Sequence, residues 1–477
     1  MQEITDFLLP IVQNINKYLS GYILTISLLG CGLFFTIKTR FVQVRCFGEG
    51  IKEVFGGLFK KKKDNEGGLS SFQALATAIA AQVGTGNLVG ACSALLTGGP
   101  GAIFWMWIAA FFGMSTIYAE ATLAQKTREV KSDGTVVGGP VYYIKKAFPN
   151  KLGKFLAAFF AIAITLALGF IGSMVQANAI SNTFSNAFPV IPTWVVGVVL
   201  VVLCGIIFIG GIKRIANVAE KLVPIMAVLF LVGSFTVLII NIKALPETFK
   251  LIFVGAFNPQ AALGGVIGIT IKEAISKGVG RGLFSNEAVM GSTPHAHALA
   301  DVKTPHKQGV VAMIGVFIDT FVVLTMTSLV VISTLYTNNG PLCAGRVAGF
   351  DENNMVQKAF GLSLNNETAG NIFVAICLLF FAFTTILSWN YFGKINTEYL
   401  FGKKSNVPYS IIALIFIFLG TVVAKSELVW ELSDTFNQLM VIPNVLALFA
   451  LSKLVKDSAM GKDKLKQVSK KELNKTK

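Results

Sequence analysis

Residues 80–90 read Ala80-Ala81-Gln82-Val83-Gly84-Thr85-Gly86-Asn87-Leu88-Val89-Gly90. They lie inside an apolar run, residues 70–97, that is long enough to cross a bilayer, and they put two glycines, a hydroxyl and an amide at its mid-depth. Glycine lets a helix unwind, and backbone groups freed inside hydrocarbon must face ligand, water or protein. Interrupted crossings of this kind bind ions and substrates near the midplane in secondary transporters, whereas a channel wall or an anchor needs continuous helices. The same letters also suit close helix packing, because Gly86 and Gly90 have small-xxx-small spacing. Thr85 and Asn87 beside the glycines favour a site.

The surrounding composition agrees with a membrane setting. Of 477 residues, 53% are hydrophobic and 14% charged, with a mean hydropathy of +0.66; a soluble domain carries about 25% charged residues. That excludes a soluble multidomain enzyme and predicts an all-α polytopic membrane protein. Eleven apolar stretches are long enough to cross: residues 18–37, 70–97, 101–125, 155–182, 191–210, 222–242, 260–280, 308–335, 369–392, 407–424 and 430–452. The formal net charge of +16 raises the question of nucleic acid, but the basic residues sit between apolar runs and in the C-terminal tail, not on one face beside exposed aromatics. They act instead as a topology signal. With the N-terminus outside, 35 of the 41 Lys and Arg fall on the inner side, and only Lys17, Lys243, Lys250, Arg346, Lys358 and Lys425 remain outside. The positive-inside rule then favours an odd number of spans and a cytoplasmic C-terminus.

Glu3 and Asp6 stand where a signal peptide would be basic, so the first span is expected to stay as an uncleaved anchor. The cysteines, Cys31, Cys46, Cys92, Cys204, Cys343 and Cys377, show no CxxC spacing, and neither a disulfide framework nor a transition-metal site is expected. The seventh span opens Asn258-Pro259-Gln260-Ala261-Ala262-Leu263-Gly264-Gly265-Val266-Ile267-Gly268, a second candidate break. Spans two to six and seven to eleven form two sets of five, whose first helices cross in opposite directions, and both candidate breaks fall in those first helices. This is the placement expected of an inverted repeat. The predicted organisation is an extra helix and basic loop (1–69), a first five-helix repeat (70–242), an outer connection (243–259), a second repeat (260–452) and a basic tail (453–477) that either touches anionic lipid or is simply solvated.

Polar groups within the spans are the remaining candidates. The ninth span carries Thr384-Thr385-Ile386-Leu387-Ser388-Trp389-Asn390; Thr385 and Trp389 share one helical face, as do Thr384 and Ser388. Hydroxyls beside the carbonyls of an unwound helix make a hard-oxygen cage suited to Na+, the alternative being that they bond back to their own helix. In the fourth span Gln176 and Asn178 are either interhelical glue or ligand donors. Asp319 is the costliest group in the membrane, a coupling or structural acid, while Glu120 is expected to support packing near the inner end of the third span. Residues 281–297, with His295 and His297, read as an inner loop or gate. No GxSxG, HExxH or Walker A pattern occurs, and no catalytic constellation is visible.

Several segments together resemble the alanine or glycine:cation symporters, also called the sodium:alanine symporter family. They are Gly84-Thr85-Gly86-Asn87, Gly98-Gly99-Pro100-Gly101-Ala102 with Phe104-Trp105-Met106-Trp107, Gly138-Gly139-Pro140-Val141-Tyr142-Tyr143, Ser285-Asn286-Glu287-Ala288, and Thr384-Thr385-Ile386-Leu387-Ser388-Trp389 leading to Glu398-Tyr399-Leu400-Phe401-Gly402. The resemblance spans nearly the whole chain. It implies a leucine-transporter-type 5+5 inverted repeat with one extra N-terminal helix, in the inner or plasma membrane of a prokaryotic cell. It also implies symport of alanine, glycine or a similar small neutral amino acid with Na+, H+ being the alternative coupling ion, and no organic cofactor. Substrate would then meet Thr85, Gly86, Asn87, Gln176, Leu263, Gly264, Val266, Ile267, Thr385 and Trp389, and the cation Gly84, Thr384, Thr385 and Ser388. Two departures stand out: Val289 replaces the family's usual glycine after Ser-Asn-Glu-Ala, and the outer loop 336–368 is long and rich in Asn. The rival functional class is a passive amino-acid or ion channel.

Overall fold

The computed structural model describes residues 2–19, 25–58, 68–132, 134–259, 270–337, 340–343, 345, 347–423 and 427–462. Among the described residues the regular structure is helical, apart from one two-stranded ribbon, β1 (Glu129–Val130) against β2 (Val136–Val137). An amphipathic helix α1 (Gln2–Tyr18) precedes α2 (Thr25–Lys38); a short α3 (Val42–Arg45) and α4 (Phe47–Leu58) follow. The first broken crossing is α5 (Ser71–Gln82) plus α6 (Gly86–Gly98), bent by 48°. It starts with a capping box in which Ser70 and Gln73 satisfy each other's backbone N–H groups. Next come α7 (Gly101–Thr127), α8 (Pro140–Ala147), α9 (Lys151–Ala187), α10 (Thr193–Ile209), α11 (Gly211–Ile240) and α12 (Leu245–Phe257).

The second half begins with α13 (Ile271–Asn286), opened by a Thr270–Glu273 capping box. A short α14 (Pro294–His297) leads to α15 (Pro305–Tyr336), α16 (Met355–Ser363), α17 (Glu367–Phe401), α18 (Lys403–Val422), α19 (Glu427–Ala450) and α20 (Ser452–Ala459). Among the described residues, six helices are long and apolar enough to cross a membrane, and α5 with α6 and α19 with α20 are bent pairs that also pass. Exposed apolar side chains line the outer faces of α10 (Val198, Val202, Ile206) and α11 (Val228, Val232, Phe235, Ile239). In water these would be a liability; against lipid tails they are the expected surface.

Each stretch expected to cross contains described helix, with one difference that matters. The seventh was placed at residues 260–280, whereas the described helix runs Ile271–Asn286, so 281–286 is helix and not loop. Leu263, Gly264, Val266 and Ile267, and with them the expected break at 264–268, lie outside the described residues. The backbone instead leaves helical geometry after Asn286: Glu287, Val289 and Gly291 have φ of 56°, 73° and 78°. A β-branched residue in the left-handed region is a genuine outlier, held here by burial on all sides. Charge placement changes accordingly. Lys277 packs beside Gly98, at the opposite end of the bundle from Ser71 and Thr127, and Lys272 lies further out on the same helix. Two of the 35 basic residues assigned to the inner side are therefore on the other, and Arg281 falls within the bundle, where it pairs with Asp434. Lys131, Lys145, Lys213, Lys307, Lys394 and Lys403 stay together at what is called here the basic end.

The described part of the long connection 336–368 is packed onto the helices. Its helix α16 packs on α17 so closely that a Cβ on Gly370 would fall 2.3 Å from the Gly361 nitrogen. Gln357 donates to the carbonyls of Thr183 and Asn371, tying this cap to the end of α9.

Candidate functional site

Between α5 and α6 the chain leaves α-geometry at Val83 and re-enters through a π-helical turn, residues 86–90. Gly84 is there because of what surrounds it: a Cβ would lie 2.5 Å from Thr385 Oγ1 and 3.1 Å from Gln176 Oε1. Gly86 likewise faces the backbone of Ser285, its virtual Cβ 2.9 Å from that Cα, so the first break presses on the end of α13. The freed amides are taken by side chains. Gly84 N donates to Asn87 Oδ1 at 2.9 Å and Thr85 N to Gln176 Oε1 at 3.1 Å. Thr85 Oγ1, fully buried, has no partner among the described residues.

On the α5 side of the break the exposed carbonyls meet α17. Thr385 Oγ1 donates toward Ala80 O at 2.9 Å and lies 3.4 Å from Val83 O; Ser388 Oγ donates to Thr77 O at 3.0 Å. These are hard oxygen donors from two helices on one small volume, the donor set of an alkali cation. Thr384 is not part of it. Its hydroxyl turns to the Phe380 and Phe381 carbonyls, each at 3.0 Å, and to Met226 Sδ, because adjacent helix residues point about 100° apart and Thr384 therefore presents a different face from Thr385.

A carboxylate joins the two breaks. Asp319, on a π-helical stretch of α15 (residues 317–324), accepts from Asn87 Nδ2 at 2.6 Å, from Ser285 Oγ at 3.0 and 3.1 Å, and from Thr320 Oγ1 at 2.8 Å. Such widened turns recur at functional sites because they re-aim side chains. All three partners are buried. An ionised carboxylate at this depth needs such donors or a cation.

The second break has its own supports, and these were missed in the sequence. Trp389 Nε1 and Ser292 Oγ both donate to the Glu287 carboxylate. Glu120, expected only to support packing, accepts from Val289 N at 3.3 Å and from Asn444 Nδ2 at 2.5 Å, while the same Asn444 nitrogen reaches Val289 O at 2.6 Å. Tyr143 donates to Asn444. Two buried carboxylates thus hold an unwound segment that has one glycine. His295 and His297 belong to this scaffold and not to a metal: their ring nitrogens face Ser292 O, Asn396 and Gln308. Asn178 is interhelical glue, donating to the carbonyls of Gly420 and Val423.

Gly84, Thr85, Gly86, Asn87, Gln176, Thr385, Ser388 and Trp389 therefore converge on one region, with Asp319 at its edge. Toward the basic end a cavity of about 810 Å³ has Asn390, Tyr391, Lys394 and Glu398 in its wall, immediately beyond Trp389. Toward the opposite end, among the described residues, a small pocket of about 50 Å³ is lined by Arg281, Phe284 and Asp434. There Arg281 pairs with Asp434 at 3.1 Å and its guanidinium stacks 5.2 Å from the Trp430 ring centre.

Along nearly its whole length the chain is similar to known proteins. The chain is 39% identical over 457 residues to the sodium/alanine symporter AgcS of Methanococcus maripaludis, covering 94% of this chain and 96% of that protein. It is 38% identical over 456 residues to the probable sodium/glutamine symporter GlnT of Bacillus subtilis, covering 95% and 90%. Among solved structures, MhsT in complex with L-phenylalanine superposes with a TM-score of 0.58 at 14% identity, over 83% of this chain and 98% of that one. A Na+-coupled sialic acid symporter in a substrate-bound outward-open state gives 0.51 at 14% identity, over 95% and 99%. At such identities the likeness carries the fold alone, an all-helical transporter architecture. The sodium:alanine symporter family matches residues 5–476, and this chain, a multi-pass membrane protein, belongs to it.

Proposed function

We propose that the protein is a secondary active symporter that couples Na+ entry to uptake of a small neutral amino acid, chiefly alanine or glycine, by alternating access. The observation that carries this reading is the Thr385–Ser388 face of α17 lying on the carbonyls of the broken α5. In this reading the cation binds among the carbonyls of Ala80 and Val83 and the hydroxyls of Thr385 and Ser388, replacing hydrogen bonds with ion–oxygen contacts. The substrate carboxylate takes the amides of Gly84 and Thr85, which now donate to side-chain carbonyls of Asn87 and Gln176, neutral acceptors that an anion outcompetes. Trp389, fixed through its indole N–H by Glu287, limits side-chain volume; Trp389→Ala should admit larger amino acids, and unchanged selectivity would count against that role.

Eleven crossings arranged as five plus five after one extra helix, with the basic end cytoplasmic and the N-terminus outside, complete the proposal. The cavity on the basic end and the Arg281–Asp434 contact across the other correspond to a state closed to the outside. In proteoliposomes, an imposed Na+ gradient should drive accumulation of radiolabelled alanine or glycine above the external concentration; a channel would equilibrate only. Glutamine and serine belong in the same assay, since one relative is named for glutamine. Varying the pH gradient independently separates Na+ from H+ coupling.

A further inference from the structure

A second group of ligating side chains lies at the basic end, away from the substrate region. Cys46, between α3 and α4, Glu49 on the first turn of α4 and His306 at the start of α15 have their ligand atoms within 4.8 Å of one another. Cys46 and Glu49 are three residues apart and so share a helical face. His306 comes from 257 residues further along, which is why the cysteine spacing gave no sign of it and no transition-metal site was expected. Its Nε2 lies 3.2 Å from Glu49 Oε2. In a tetrahedral site with Zn–N and Zn–O bonds of about 2.0–2.1 Å, those two ligand atoms stand about 3.3 Å apart. The other ring nitrogen, Nδ1, is 2.7 Å from the hydroxyl of Tyr118, a fully buried residue of α7. That contact leaves Nε2 as the outward nitrogen and fixes the ring plane, as the outer hydrogen bond of a ligating histidine does.

We propose that Cys46, Glu49 and His306 bind a borderline divalent transition metal of the Zn2+ class, with solvent in the fourth position. Thiolate, imidazole and carboxylate together select such an ion over Mg2+ or Na+. Nearby positive charge is already engaged: Arg45 donates to the carbonyls of Thr39 and Ala459, and Lys307 pairs with Glu53 at 2.5 Å. Cys46 is buried and the other two ligands are partly exposed, so the site has a solvent path. The metal displaces the Cys46 thiol proton to solvent as the S–metal bond forms, so affinity falls as pH is lowered. A bound ion would fasten α4, which follows the extra N-terminal helix, to the helix that carries Asp319.

The test is titration of the purified full chain in detergent with Co2+, a spectroscopic stand-in, and with Zn2+ in competition. One equivalent should give a thiolate-to-cobalt charge-transfer band that Zn2+ abolishes. The band should vanish in Cys46→Ser, persist in Cys343→Ser, and need at least tenfold more metal in Glu49→Gln and His306→Asn. Tyr118→Phe, which removes only the orienting hydroxyl, should weaken binding about tenfold. Absence of the band in the wild type, or its persistence in Cys46→Ser, overturns the proposal. If Cys46→Ser does not fold, His306→Asn decides: unchanged metal affinity in that variant overturns it. Zn2+ should also raise the thermal midpoint of the wild type and not of Cys46→Ser.

Discussion

Thr384 and Thr385 are adjacent in the chain, chemically identical and both buried, yet the structure gives them different duties. Replacing Thr385 by Val keeps the volume and removes a hydroxyl that faces Ala80 O at 2.9 Å and Val83 O at 3.4 Å. Those carbonyls sit at the interrupted end of α5, where no following turn of helix supplies donors. Losing one oxygen ligand, or leaving one buried acceptor unsatisfied, costs about 1–3 kcal/mol, which is roughly 5- to 150-fold in an equilibrium constant. Thr384→Val removes a hydroxyl that only shadows carbonyls of its own helix and a thioether; its effect should stay within about threefold. The assay is initial uptake of labelled alanine in proteoliposomes across a Na+ series. Thr385→Val should raise the half-saturating Na+ by roughly 5- to 150-fold, and Thr384→Val should leave it near wild type. Equal shifts in both variants, or wild-type Na+ activation in Thr385→Val, would refute the cation assignment.

Gly84→Ala puts a methyl 2.5 Å from Thr385 Oγ1; an overlap of this kind costs about 1–3 kcal/mol, and uptake should fall at least tenfold while the protein still inserts, as read by uptake against surface expression. Asp319→Asn keeps the shape but loses the charge that collects three donors; transport should be nearly abolished, and a variant with normal uptake and normal Na+ dependence would remove Asp319 from the coupling machinery. Asp434→Asn breaks the Arg281–Asp434 ion pair at the narrow end, between side chains about one-fifth exposed. With Cys343→Ser as background, a reporter Ser276→Cys in the pocket wall should then react faster with a membrane-impermeant thiol reagent; an unchanged rate would mean the pair does not hold that end shut.

The first break was legible because its cause is local: two glycines and an amide interrupt an apolar run within four residues. The turn at Glu287, Val289 and Gly291, two of them residues that ordinarily avoid positive φ, was not legible; the expected break at 264–268 lies outside the described residues. What makes that turn tolerable is Glu120, Asn444 and Trp389, from three other helices. Such supports leave no spacing pattern in the sequence, so Glu120 read as packing and residues 281–297 as a loop. Asp319 was picked out by its cost alone, and its partners Asn87 and Ser285 are 232 and 34 residues away. Helix positions were easier, since hydropathy reports the bilayer directly. Among the described residues, the charge assignment departs where the seventh helix begins near Thr270 and carries Lys272 and Lys277 to the end opposite Ser71.

Asp319 takes one hydrogen bond from the first interrupted helix and another from the end of the second, so the two hinges are not independent parts. Any motion that pulls Asn87 away leaves the carboxylate short of a donor, and Ser285 must then follow it or a cation must arrive. The free energy of rearranging one half is thereby written into the other, which is the requirement for two cargoes to travel only together. A transporter without such a shared anchor would leak whichever ligand bound first.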